Sequence, residues 1–241
     1  MSTVTAGVQN KVIHGDCLDV MPTLPDKSVD LIFTSPPYNL GNNHHTGNKR
    51  HKAYDDDMPE AEYQAWQVEV LNQCGRLLKL GGSIWYNHKN RIKQGRQISP
   101  YEWLLKTNLI VKQEIVWITR SQNFDKIRFY PWTERLYWLT KNPDVKMQNI
   151  LNHYDVFDYN AWKPVGTNGD HTRAYPVKMV EDVLKCFPEA ATVFDPFGGS
   201  GTTAIACLNT NRNYILIEKE KEYIDIINKR ISEHELQVTL C

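Results

Sequence analysis

The sequence has no net charge: 28 basic residues balance 28 acidic ones among 241. The basic excess common in nucleic-acid binders is absent, so any hold on phosphates must come from a local stripe. No apolar run approaches the roughly twenty residues of a membrane span. The N-terminus lacks the charged-then-apolar plan of a signal peptide. Cysteine is scarce and scattered, at Cys17, Cys74, Cys186, Cys207 and Cys241. No Cys-x-x-Cys pair occurs, which argues against a zinc site or a disulfide framework and favours a reducing, cytoplasmic setting. Internal repeats and low-complexity tracts are missing. Neither Gly-x-Gly-x-x-Gly nor a P-loop Gly-Lys-Ser/Thr is present, so the usual dinucleotide and nucleoside-triphosphate fingerprints are excluded. What remains is a globular composition, 41% apolar and 23% charged, sufficient for one α/β domain with insertions.

Within that frame one stretch carries chemistry. The apolar run Val29 to Phe33 leads into Thr34-Ser35-Pro36-Pro37-Tyr38-Asn39. Proline has a fixed φ and no N–H, so two in succession turn carbonyls outward with no local donor competing for them. The hydroxyl of Ser35, the carbonyl of Pro36 and the ring of Tyr38 suit one task. They can grip a planar base by an exocyclic amino group and stack on its face.

A second stretch is Val193-Phe194-Asp195-Pro196-Phe197-Gly198-Gly199-Ser200-Gly201-Thr202-Thr203. A short apolar segment runs through a glycine loop into a helical pattern, Ala204, Ile205, Ala206 and Leu208. Such a loop at the carboxyl end of a parallel strand is a cofactor position. The segment Asn213 to Glu218 ends in a carboxylate about twenty residues past the loop, a spacing suited to ribose hydroxyls. The segment Val12 to Asp16 also ends in a carboxylate, with an N-cap of the turn that follows as its simpler role.

Together these motifs resemble those of the DNA methyltransferases that modify exocyclic amino groups of bases. Ser-Pro-Pro-Tyr is similar to their catalytic motif, and Asp-Pro-Phe-Gly-Gly-Ser-Gly-Thr-Thr to their S-adenosylmethionine loop. The cofactor loop lies after the Pro-Pro-Tyr motif, as in the β-type group, and the resemblance covers about residues 12 to 236. Glutamine-modifying protein methyltransferases carry a similar motif, but with Asn first and the cofactor loop upstream. The resemblance implies that Ser35, Pro36, Pro37 and Tyr38 are catalytic. It implies S-adenosylmethionine at Asp195, Pro196, Phe197, Gly198, Gly199, Ser200, Gly201 and Thr202. Glu218 would take the ribose, Asp16 the adenine amine, and His171 or Arg173 would close over the carboxylate.

The periodicity predicts strands at 12–16, 29–34, 83–88, 110–119, 135–141, 191–195 and 213–218. It predicts helices over 60–79, after Pro176, over 201–209 and over 220–235, with Gly81-Gly82 ending the first. Alternation of the two implies a doubly wound, mostly parallel seven-stranded sheet with an antiparallel edge hairpin. The resemblance implies the circularly permuted methyltransferase fold, a single catalytic domain over 1–241. Residues 40–57 read as a mobile loop placed to cover the base, and the resemblance makes 142–170 a short target-recognition insert. Lys49, Arg50, Lys89, Arg91, Lys126 and Arg128 are expected DNA contacts in loops sharing one rim of the sheet. His44, His45 and His51 lack fixed ligand spacing, so no metal is expected.

The family's preference puts the N4 amine of cytosine slightly ahead of the N6 amine of adenine, because Ser35 stands first in the motif. A non-catalytic relic and an RNA amino-methyltransferase remain as alternatives. Enzymes of this group are often dimers, so a homodimer is expected. A cognate restriction endonuclease is a candidate partner.

Overall fold

The computed structural model describes residues 10–41, 56–120, 126–149, 154–159 and 174–239. Among these described residues ten strands are formed: β1 (Lys11–His14), β2 (Val29–Thr34), β3 (Leu78–His88), β4 (Arg91–Lys93), β5 (Arg96–Ile98), β6 (Ile110–Ile118), β7 (Thr133–Thr140), β8 (Val156–Phe157), β9 (Thr192–Asp195) and β10 (Asn213–Glu218). The α-helices are α1 (Cys17–Val20), α2 (Glu60–Leu77), α3 (Tyr101–Leu104), α4 (Val177–Lys185), α5 (Thr202–Asn209) and α6 (Lys221–Thr239).

Eight strands make one sheet in the order β1-β10-β9-β2-β3-β7-β6-β8, and β4 and β5 form a separate hairpin. The five strands from β1 to β3 run parallel, and β7 and β6 are the antiparallel pair. All seven expected strands are present. The two-residue β8 joins them, parallel to β6, so the hairpin is not the outermost pair.

Strand alternation builds two cores. Leu31, Phe33, Val193 and Leu216 face one side, packed with Met179, Val183, Ala204 and Ile227 of α4, α5 and α6. Val29, Ile32, Phe194 and Ile215 face the other, packed with Tyr63, Leu71 and Trp103 of α2 and α3. Successive side chains on a strand point to opposite faces, so a strand covered on both sides must be apolar throughout. That is why Leu31-Ile32-Phe33 of β2 and Val193-Phe194 of β9 are unbroken apolar runs.

Expected strand 12–16 ends at His14, which leaves Asp16 outside it, and the widest departure lies between α2 and β3. Helix α2 stops at Leu77, and β3 begins at once with Leu78. Gly81-Gly82 does not end the helix but lies inside β3. A Cβ on Gly82 would sit 2.6 Å from the Asp30 carbonyl of neighbouring β2, so glycine marks close strand approach. The hairpin β4–β5 and the single turn α3 lacked any clear periodicity in sequence. No helix among the described residues is long and apolar enough to cross a membrane.

Candidate active site

Because β1, β10, β9, β2 and β3 are parallel, their carboxyl ends form one rim. Antiparallel β7 brings its first residues to the same rim. Thr34, Asp195, Glu218, His14 and His88 therefore close their strands side by side. The Pro-Pro-Tyr segment and the glycine loop meet there directly. Thr34 Oγ1 donates to Asp195 Oδ1 at 2.8 Å.

Asp195 is wholly buried. Its carboxylate accepts from Thr34, from the Phe197 amide at 3.0 Å, from Tyr175 Oη at 2.9 Å and from Thr203 Oγ1 at 2.7 Å. Burial pushes it up to about 6, while these donors pull the other way. The side chain is thus committed to joining β2, the entry to α4, and α5. Pro196 is buried, and Phe197 packs against Trp66 with ring centroids 5.5 Å apart. The Gly198 amide donates to the Ile217 carbonyl at 2.8 Å. The Gly199 amide donates to Glu218 Oε2 at 2.7 Å, and the Glu220 amide to its other oxygen at 2.8 Å. Burial raises the Glu218 carboxyl, and these amides oppose the rise.

Ser200 and Thr202 are buried, and Arg230 of α6 donates to the Ser200 carbonyl at 2.5 Å. Gly201, at φ 79°, is the left-handed residue that opens α5; a side chain there would also press on Ile227 at 3.1 Å. Asp16 N-caps α1, accepting from the Leu18 amide at 3.0 Å, and pairs with Lys219 at 3.1 Å. His171, Lys49 and Arg50 lie outside the described residues, as do His44, His45, His51 and Arg173.

The Pro-Pro-Tyr segment is braced from beneath. Tyr63 Oη of α2 donates to the Pro37 carbonyl at 2.7 Å. No hydrogen bond joins the Pro36 carbonyl to another described residue. Tyr63 Oη also meets Gln67 Nε2 and His88 Nε2, each at 2.7 Å. Burial holds His88 well below the usual imidazole range, so the ring is neutral. With its proton on Nε2, Nδ1 accepts from the Lys89 amide at 2.8 Å and Tyr63 keeps its own proton for Pro37. The Lys89 carbonyl is equally near Nδ1, at 2.8 Å, and would suit the other tautomer. That tautomer would give Tyr63 one proton for two acceptors. The His88 ring lies 4.5 Å from that of Tyr38.

The hydroxyl of Tyr38 contacts three groups: Ser35 Oγ at 2.9 Å, Asn87 Oδ1 at 2.7 Å and Glu134 Oε2 at 2.9 Å. Burial, then the Glu134 charge, pushes the phenol well above its usual value. Lys89 Nζ stands 5.6 Å from the centre of the ring. Asn39 closes the segment. Its amide and that of Leu40 donate to the Asp56 carboxylate at 2.6 and 3.1 Å. Its side chain exchanges two bonds with the Met58 backbone, at 2.9 and 2.7 Å. The chain leaves at Gly41 and returns at Asp56 through one clamp.

Tyr63, Asn87, His88, Glu134, Asn39 and Tyr175 were not singled out from sequence. A signal existed for two of them, since Asn87-His88 is a polar pair closing the apolar run 84–86.

Among the expected DNA contacts, Arg91 requires correction. It is 2% exposed, bonds both Glu60 oxygens at 2.9 and 2.7 Å, and stacks on Tyr63 and Trp103. A cation buried in that way ties β4 to α2 and does not reach phosphate. Arg91→Ala is expected to cost roughly 3 kcal/mol of stability, because Glu60 loses its partner and two rings lose their cover. Urea unfolding checks this; an unchanged midpoint with a smaller salt dependence of DNA binding would restore the original reading. Lys89, Lys126 and Arg128 stand on the catalytic rim or in the loop joining β6 to β7.

A family model described as "DNA methylase" matches residues 29–229, which span both loops. The chain belongs to the DNA methylase family. The type II methyltransferase M.BglII of Bacillus subtilis is 31% identical over 258 residues, covering 92% of this chain and 69% of that protein. Among solved structures, the PvuII DNA methyltransferase, described as cytosine-N4-specific, superposes with a TM-score of 0.75 at 21% identity, over 92% of this chain and 86% of that one. TTHA0409 of Thermus thermophilus, in complex with S-adenosyl-L-methionine, gives 0.67 at 19% identity, over 93% and 94%. These two likenesses concern the fold of this DNA methylase.

Proposed function

We propose that this DNA methylase transfers the methyl group of S-adenosylmethionine to the exocyclic amine of a flipped DNA base. The bond from Thr34 to Asp195 carries the proposal, because it fastens the base-gripping segment to the glycine loop. The donor set around that loop suits the cofactor. Glu218 ends β10, and Asp16 lies two residues past the end of the adjacent parallel β1; both are carboxylates, able to accept from hydroxyl and amino groups. Residues 195–203 contain no cation, which fits a nucleoside without phosphate. The loop from Gly198 to Gly201 and the side chain of His171 would surround its amino acid end. When bound, S-adenosylmethionine supplies an electrophilic methyl group on a sulfonium.

The chain's own residues do the rest. An aromatic amine is a poor nucleophile, because its lone pair is delocalised into the ring. Ser35 Oγ and the Pro36 carbonyl accept its two N–H bonds and favour the pyramidal form, a preorganised electrostatic contribution. Placing the amine in line with the methyl group supplies much of the remaining acceleration. Tyr38 stacks on the base, which must leave the duplex to be reached. Lys89, Lys126 and Arg128, with Lys49 and Arg50, would hold the phosphates. Residues 142–170 would read the target, 40–57 would cover the base, and the whole chain would act as one catalytic domain. A homodimer is expected, and a cognate restriction endonuclease is a candidate partner.

Ser35 at the head of the motif places the N4 amine of cytosine slightly ahead of the N6 amine of adenine. The test is direct. Unmethylated bacterial DNA is incubated with the protein and labelled cofactor, digested to nucleosides and weighed by mass spectrometry. N4-methylcytosine is the expected product. N6-methyladenine would reverse the choice of base, and label in RNA alone would move the substrate. Cofactor binding with no product would leave a non-catalytic relic.

A further inference from the structure

The phenol of Tyr38 can be assigned a role separate from its ring, and this rests on the reading of the chain as a base-amine methyltransferase. Asn87 Nδ2 donates to the Arg135 carbonyl at 3.0 Å across the pairing of β3 and β7. That bond fixes the amide, so Asn87 Oδ1, which can only accept, faces Tyr38 at 2.7 Å. Glu134 Oε2, a carboxylate oxygen, faces it at 2.9 Å. A phenol has one proton, and both of these neighbours draw on it. Toward Ser35 Oγ, 2.9 Å away, the Tyr38 oxygen is left with lone pairs only. The serine proton must therefore point at Tyr38, and the serine lone pairs point away from it.

We infer that Asn87 and Glu134 act through the Tyr38 hydroxyl to hold Ser35 as an acceptor, which is the polarity an amine N–H requires. A serine free to rotate would spend part of its time presenting its own proton to the amine. Tyr38, Asn87 and Glu134 are in this respect positioning residues, and Ser35 is the group that touches substrate. The arrangement also gives a reason for tyrosine where phenylalanine would stack equally well.

The inference is tested by single-turnover methyl transfer to unmethylated bacterial DNA, with tritiated S-adenosylmethionine at saturating enzyme. Tyr38→Phe keeps the ring and removes one oxygen. It is expected to slow transfer about tenfold, the weight of one hydrogen bond's orientation, with DNA and cofactor affinities within about twofold of wild type. Ser35→Asp replaces the hydroxyl by a group that only accepts, so its polarity needs no setting. In that background Tyr38→Phe is expected to cost less than about threefold, a coupling that a double-mutant cycle reads. The double variant Asn87→Leu, Glu134→Leu leaves Ser35 and Tyr38 in place and is expected to reproduce the loss seen with Tyr38→Phe. Equal losses from Tyr38→Phe in both backgrounds would mean that the hydroxyl only anchors the ring, and would overturn the inference. Full activity in Tyr38→Phe, or in the Asn87–Glu134 double variant, would overturn it as well. A wild-type protein that labels no DNA ends the methyltransferase reading itself, a result distinct from any of these.

Discussion

Replacing Tyr38 by alanine is expected to lower methyl transfer about a hundredfold while cofactor binding stays within about twofold. On the proposed reading the ring stacks on the captured base, worth roughly 1–3 kcal/mol per base, so its loss would fall there and not on the glycine loop. The bond from Thr34 to Asp195 that joins the two segments does not involve the Tyr38 side chain. Tyr38 is braced by His88, Asn87 and Glu134, from β3 and β7, whereas the loop is held by Glu218, Arg230 and Asp195. Calorimetry with S-adenosylmethionine separates the two sites. Parallel loss of cofactor affinity would show that Tyr38 supports the fold of the pocket and would sink its assignment to the base.

Asp195→Ala is expected to act in the opposite manner, through the fold first. Its removal leaves the donors of Thr34, Tyr175, Thr203 and the Phe197 amide without a partner in a dry interior. Each bond to a charged group contributes roughly 1.5–3 kcal/mol, and they are not additive, so a total near 4 kcal/mol is reasonable. For a domain of this size that lowers Tm by roughly 8–16 °C. Cofactor binding should fail with it, because the loop loses its attachment to β2. A melting point within about 2 °C of wild type would contradict the role of Asp195 as a tie.

The same carboxylate has a pH signature. Its folded value, about 6, lies above the 3.8 of an ordinary aspartate. The folded state therefore binds the proton more tightly. The stability from this group is fully present below its unfolded value and is lost as pH rises toward 6, by about 3 kcal/mol. Asp195→Asn cannot titrate there. Relative to wild type, the variant should gain by about that amount between about pH 3 and about pH 7, with less than half of the gain arising above about pH 5. Urea unfolding at the two pH values measures it, and a constant difference would refute the shift.

The parts of the molecule that were legible in sequence are those where chemistry and periodicity coincide. Strands β2, β9 and β10 are buried on both faces, so they stand out as apolar runs, and each ends in a residue of the site. The glycine loop is legible because few residue types tolerate its turns. What escaped notice depends on register. Glu134 reaches Tyr38 only because β7 pairs antiparallel with β3, and no local pattern announces that neighbour. Arg91 was misread for a related reason. A cation among other cations after a strand looks like a phosphate contact until Tyr63, Trp103 and Glu60 are seen to enclose it. Gly82 misled because a glycine after a helical pattern usually ends it, whereas here it lets two strands approach.

The clamp of Asn39 on Asp56 and Met58 has an evolutionary implication. Two ends already fastened together make the intervening stretch a ring, and lengthening a ring is cheap, about 0.6 kcal/mol for each doubling. Insertions and deletions between Gly41 and Asp56 therefore leave Ser35 and Tyr38 where they are. Descendants of this enzyme can therefore change the length of that ring without re-evolving the segment beneath it.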